Sequence, residues 1–194
     1  SPSTDLPDEY WRMPILGVKV DSQGAPQGAP VELMPSAIAA VAGDSFFDYS
    51  LSGTHLAWEQ GRAAGDLALG THVMDLDGLQ PFSLGRGAWR PSIGGGTLVY
   101  YENGLKARDL ESGQVREIDA QGDYASAASS FAAYFRATDG GGYELVARGL
   151  TGGYEQVLGS AAEPPWLSPD IAASAHHVAF VARGAVKLFE WQGR

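Results

Sequence analysis

Between residues 97 and 118 the chain sets short β-prone runs against turn residues in so tight a rhythm that only antiparallel sheet accommodates it. The runs are 97–102, 105–110 and 114–118, separated by Asn103-Gly104 and by Glu111-Ser112-Gly113. Asn-Gly between two such runs is a strong hairpin signal, because a type I′ turn needs positive φ at both central residues. The connections are too short for a helix or a parallel crossover. A meander of antiparallel strands is predicted.

The same cadence recurs. Strands are predicted over 47–51, 55–60, 72–76 and 80–84; over 88–93 and the three runs above; over 124–128, 131–137, 143–149 and 154–158; and over 171–174, 177–182 and 186–191. Aligning the second strand of each set brings Trp58, Tyr100, Tyr134 and Phe180 into register, at separations of 42, 34 and 46 residues. Leu16 lies a further 42 residues before Trp58. Repetition near 40 residues with four short strands per unit is the pattern of β-propeller blades. The copies lack the 3.6-residue periodicity of helical solenoids. A β-sandwich would also give frequent turns, but it does not predict copies in register.

The expected fold is therefore all-β, a propeller of four to five four-stranded antiparallel blades. Residues 1–9 form an N-terminal arm and 10–194 the propeller domain. Its blades cover about 10–42 (partial), 46–85, 88–120, 124–160 and 166–194, the last lacking its outer strand. Pro14 argues that a strand begins after it, over 15–20, or lies at an edge. A short strand follows at 31–34, and the Ala-rich 36–42 reads as a connector. An open sheet edge exposes unpaired backbone groups. Either the N-terminal strands complete the last blade, or the ring is incomplete and is finished by more chain or by another subunit, a homo-oligomer joined through open edges.

Leu167-Ser168-Pro169-Asp170 followed by His177-Val178-Ala179-Phe180-Val181 resembles the blade signature of the TolB-like (WD40-like) propeller repeats of bacterial proteins. Weaker copies are Leu51-Ser52-Gly53-Thr54-His55-Leu56-Ala57-Trp58 and Pro91-Ser92-Ile93 with Thr97-Leu98-Val99-Tyr100. Asp109-Leu110-Glu111-Ser112-Gly113-Gln114 resembles the turn before the outer strand of such a blade. The resemblance spans about 46–194 and implies the fold more than a function. A periplasmic or secreted bacterial setting goes with it.

The formal net charge of −10 would repel a phosphate backbone or an anionic membrane, so nucleic acid is not an expected partner. Solubility accounts for the acidity; a basic partner or a cation is the alternative. The chain has no cysteine, which excludes disulfides, thiolate metal sites and a cysteine nucleophile. It has no apolar run of about 18 residues, so no membrane span is expected. Its opening, Ser-Pro-Ser-Thr-Asp-Leu-Pro-Asp, fits a mature form or a fragment.

No catalytic, metal or cofactor signature stands out. His55, His72, His176 and His177 have no metal-binding spacing, although His55 and His72 begin strands of one blade. Gly43-Asp44-Ser45 lacks the partners of an esterase serine. Asp75-Leu76-Asp77-Gly78 lacks the further ligands of a calcium loop. Gly94-Gly95-Gly96 and Gly140-Gly141-Gly142 do not open helices and so cannot cradle a phosphate in the usual way. The residues singled out as ligand contacts are Trp89 and Arg90, and Trp166 and Asp170, which precede or open innermost strands. Loops joining rigid strands are where recognition residues sit. The predicted role is a non-catalytic module that binds a protein or peptide through upper loops or the channel mouth. A carbohydrate-binding or carbohydrate-cleaving propeller is the second reading, resting on the five Trp, eight Tyr and seven Phe. A structural or sensory domain cut from a larger protein is the third.

Overall fold

Each β-prone run reaches the next through a turn too short for anything but an antiparallel neighbour, and the sheets follow from that. The computed structural model describes residues 11–39, 49–60, 70–78, 80–161, 171–182 and 185–193, and every regular element among them is a strand. Strands β3 (Tyr49–Ser52), β4 (His55–Gln60), β5 (Gly70–Asp75) and β6 (Gln80–Ser83) form the first four-stranded blade in chain order. The second holds β7 (Trp89–Gly94), β8 (Thr97–Tyr101), β9 (Leu105–Asp109) and β10 (Val115–Asp119). The third holds β11 (Gly122–Ala127), β12 (Phe131–Ala137), β13 (Tyr143–Gly149) and β14 (Glu155–Ala161). The last blade is three-stranded: β15 (Ile171–Ala173), β16 (His177–Ala182) and β17 (Ala185–Glu190). These four blades make an all-β propeller whose ring is not closed among the described residues.

The N-terminal strands differ from expectation. Strand β1 (Trp11–Gly17) runs through Pro14, with the register broken between Met13 and Ile15, and β2 (Val31–Ala39) continues through most of the supposed connector. The break accommodates a residue that has no N–H to give to the ladder. The two strands pair with each other as a separate hairpin, and among the described residues neither completes the last blade. The arm at 1–9 lies outside the described residues.

All four blades turn from first to second strand on two residues: Gly53-Thr54, Gly95-Gly96, Ser129-Ser130 and Ala175-His176. This common turn sets Trp58, Tyr100, Tyr134 and Phe180 at the same level, three residues into each second strand. Alternation then divides each second strand between two neighbours. Leu98 and Tyr100 face back onto Ala57 and Val73 of the first blade. Ala132 and Tyr134 face back onto Val99, Leu105 and Ala107 of the second. Val178 and Phe180 face back onto Ala133, Phe135, Leu145 and Ala147 of the third. Because a middle blade is covered on both faces, Phe131 through Phe135 are all buried and the usual inside–outside alternation vanishes. Burying a phenylalanine side chain such as Phe131 or Phe135 contributes about 1.5–3 kcal/mol.

A hydroxyl bridges every junction. Ser50 Oγ accepts the Ile93 N–H, Ser92 Oγ the Ala127 N–H and Ser126 Oγ the Ala173 N–H, each at 2.9 Å. The three serines occupy one rung of the innermost strands, opposite Ala57, Val99 and Ala133, and the three donors occupy the next rung. An innermost strand has one edge facing away from its own sheet, and the serine of the preceding blade satisfies an amide there. On the same rung of the last blade stands Ala172, opposite Ala179.

Candidate functional site

The upper end of the blades is where the first strands begin and the second strands end. The innermost strands are irregular here: register shifts lie between Trp89 and Ser92 and between Asp123 and Ser126. Arg90 (φ 55°) and Tyr124 (φ 49°), each two residues before its bridging serine, adopt left-handed backbone conformations. Such a conformation costs a non-glycine residue roughly 1–2 kcal/mol, so packing and polar contacts must hold it. The contacts are visible. The Arg90 N–H donates to Glu59 Oε2 at 3.0 Å, its Nη1 to both Asp123 oxygens at 2.6 Å, and its Nη2 to the Tyr124 hydroxyl at 2.9 Å. The guanidinium also lies over the Tyr124 ring, 3.8 Å from its centroid. Burial opposes the charge on Arg90, but Asp123 outweighs it and holds the guanidinium more firmly protonated than usual. Arg90 thus ties the first, second and third blades together.

Beside this tie opens a pocket of about 220 Å³, bounded by Tyr101, Gln121, Asp123, Tyr124, Phe135 and Tyr143. Four of its lining residues are aromatic, and Asp123 and Gln121 are its polar ones. Apart from Gln121 in the β10–β11 turn, these residues come from the ends of β8, β11, β12 and β13, so a rigid scaffold positions them.

A second polar cluster, farther out, serves cohesion. Tyr134 is fully buried and donates its hydroxyl to Asp119 Oδ2 at 3.0 Å, while Arg136 bonds Asp119 at 3.3 Å and Glu144 and Glu155 at 2.9 Å. Burial, and then the neighbouring Asp119 carboxylate, push the Tyr134 phenol well above its ordinary range. The cluster joins the outer strand of the second blade to the third.

The residues singled out from the sequence fare differently. Trp89 is half-buried and pairs across strands with Tyr101, but it does not line the pocket. Arg90 is at the site, committed to Asp123 and Tyr124 rather than presented to solvent. Trp166 and Asp170 lie outside the described residues, as does the Ser168-Pro169-Asp170 motif. His72 stacks on Trp58 at 5.4 Å, three rungs from His55, which pairs with Asp75; the two histidines do not form a joint site. Asp75 Oδ1 accepts the Asp77 N–H at 3.1 Å, the geometry of an ordinary Asx turn. Sequence reasoning missed Glu59, Tyr101, Asp123, Tyr124 and Tyr143. A signal existed for two of them: Asp123-Tyr124 stands at the same distance from Ser126 as Trp89-Arg90 from Ser92.

No family model matches the sequence, and comparison with curated proteins finds no match. Among solved structures the chain is similar to one in an S. cerevisiae complex of a Dbp5 variant bound to Nup159, a Gle1 variant, IP6 and ADP. The TM-score is 0.41 at 12% identity, over 79% of this chain and 48% of that one. The chain therefore spans about half the length of the matched chain. So distant a likeness carries no functional argument. Among the described residues, no three His, Asp or Glu side chains gather as a metal site would need, and no helix is long and apolar enough to cross a membrane.

Proposed function

We propose that the chain is a TolB-like, non-catalytic propeller module that binds a protein or peptide at its upper end. One observation supports this most: the pocket between Tyr101, Tyr124, Phe135 and Tyr143 sits beside two strand bulges whose non-glycine residues hold left-handed conformations. Backbone strain maintained by a polar tie is characteristic of sites that are preformed. A pocket of this size takes one apolar or aromatic side chain, and rigid tyrosines supply contact area at low entropic cost. The ends of neighbouring strands give the flanking peptide backbone polar groups to meet. An exported setting, periplasmic or secreted, accompanies this reading.

The test is selection of peptides from a displayed random library against the wild-type chain, followed by titration of Tyr101→Ala and Tyr143→Ala. At least a tenfold loss of affinity in both, with thermal midpoints within a few degrees of wild type, is expected. Selected peptides that bind both variants as tightly as the wild type would place the site elsewhere. A carbohydrate ligand is the second reading, favoured by three tyrosines lining the pocket together with Asp123 and Gln121. Saturable binding of soluble sugars, lost in Tyr143→Ala, would choose it over the peptide.

A further inference from the structure

Among the described residues, nothing covers the forward face of the last blade in chain order. That face carries Ala179 and Val181 from β16 and Val186 and Leu188 from β17, paired as Ala179↔Leu188 and Val181↔Val186. The same rungs of the third blade are Ala133, Phe135, Leu145 and Ala147, all buried beneath the last blade. In the second blade they include Val99, Leu105 and Ala107, again buried. Position for position, the last blade retains the chemistry of a covered face, yet Val186 is 73% and Leu188 67% exposed. Ala172, Ala179, Val181 and Val186 line a shallow apolar groove there.

We infer that this forward face is a contact surface for a second copy of the chain, packing the same face against its own. Rung 172 decides between a second copy and a further blade. At each filled junction a serine hydroxyl on that rung takes a strand N–H of the next blade. Ala172 offers no acceptor, so another blade stacked in the same way would leave its amide against a methyl group, unpaired. An identical face brings side chains, and no strand amide, to that rung. Charge permits the pairing despite the net −10, because the centre of the face is uncharged. Lys187 points to the other side, 5.8 Å from the Phe180 ring centroid, and His177 and Glu190 pair with each other at the margin. Three strands spaced at about 4.8 Å with about 3.3 Å per residue make a small face. The association accordingly belongs to the weak, concentration-dependent class.

Sedimentation of the wild-type chain from roughly 5 to roughly 500 μM tests this, a range that spans weak association. The expected result is a weight-average mass rising from one chain toward two. Val186→Lys and Leu188→Lys, both at exposed positions, are expected to stay single chains at the highest concentration with unchanged circular dichroism. A wild-type chain that stays single throughout would overturn the inference and assign the face to a different occupant. Self-association undiminished in both folded variants would overturn it by placing the contact elsewhere. If one variant loses its fold, the other variant and the wild-type series still decide.

Discussion

Tyr134 shows how one side chain can serve two neighbours. Its ring fills the junction between the second and third blades, and its hydroxyl donates to Asp119, which Arg136 also holds. The phenol's ordinary value is 10.0, and the folded environment raises it well above that. A raised value means that the folded state favours the neutral phenol. The stabilisation is therefore whole below pH 10 and is lost as pH climbs from there toward the folded value. Base titration of unfolding should show wild type losing stability more steeply above pH 10 than Tyr134→Phe, which has no phenol to ionise. At neutral pH the same substitution should cost about 1 kcal/mol for the lost hydrogen bond, read from urea unfolding. Equal slopes above pH 10 would contradict the assignment. None of this was legible in the sequence, where Tyr134 is one aromatic in register with three others. Its partner Asp119 lies on another blade, and no local pattern points to it.

At the level of elements, the two-residue turns and the glycines around them set how closely blades approach. A Cβ on Gly94 would stand 2.4 Å from the Ala128 carbonyl oxygen, a backbone atom of the next blade that cannot swing aside. Gly140, in the β12–β13 turn, has nothing within 4 Å of the same position. Gly94→Ala should therefore lower the unfolding midpoint by many degrees, while Gly140→Ala should change it little; thermal scans of the two variants side by side make the check. Comparable effects would mean that the second and third blades are not packed this closely. Asn103 and Gly104 have the expected positive φ, 54° and 115°, but Tyr101 pairs with Leu105, so the loop spans 102–104 rather than the two residues of a type I′ hairpin. Strand order, and most strand boundaries to within two residues, were readable because short turns leave no choice of partner. The N-terminal hairpin was readable in part: β1 is an edge strand, one of the two placements Pro14 allows, but its start at Trp11 and the extension of β2 to Ala39 come from their mutual pairing, which no local pattern shows. The upper pocket was not readable: Arg90 adjoins it without lining it, and Tyr101, Tyr124 and Tyr143 converge only once three strands are folded together.

Across the whole molecule, stability is a sum over neighbouring blades, as in other repeat architectures. Apolar side chains fill each junction, and one serine hydroxyl caps it by accepting an amide of the next innermost strand. The polar tie at Arg90 spans three blades and fixes the upper end where binding is proposed, and Ala172 breaks the serine series in the last described blade. The blades follow one another in chain sequence, each accepting one amide hydrogen bond from the next. Amide hydrogen exchange read residue by residue tests this order most directly. The account predicts slow exchange at Ile93, Ala127 and Ala173, and selective loss of protection at Ala127 in Ser92→Ala while Ile93 and Ala173 stay slow. Exchange at all three as fast as at Gly140 in the exposed β12–β13 turn, or protection at Ala127 indifferent to Ser92, would contradict it.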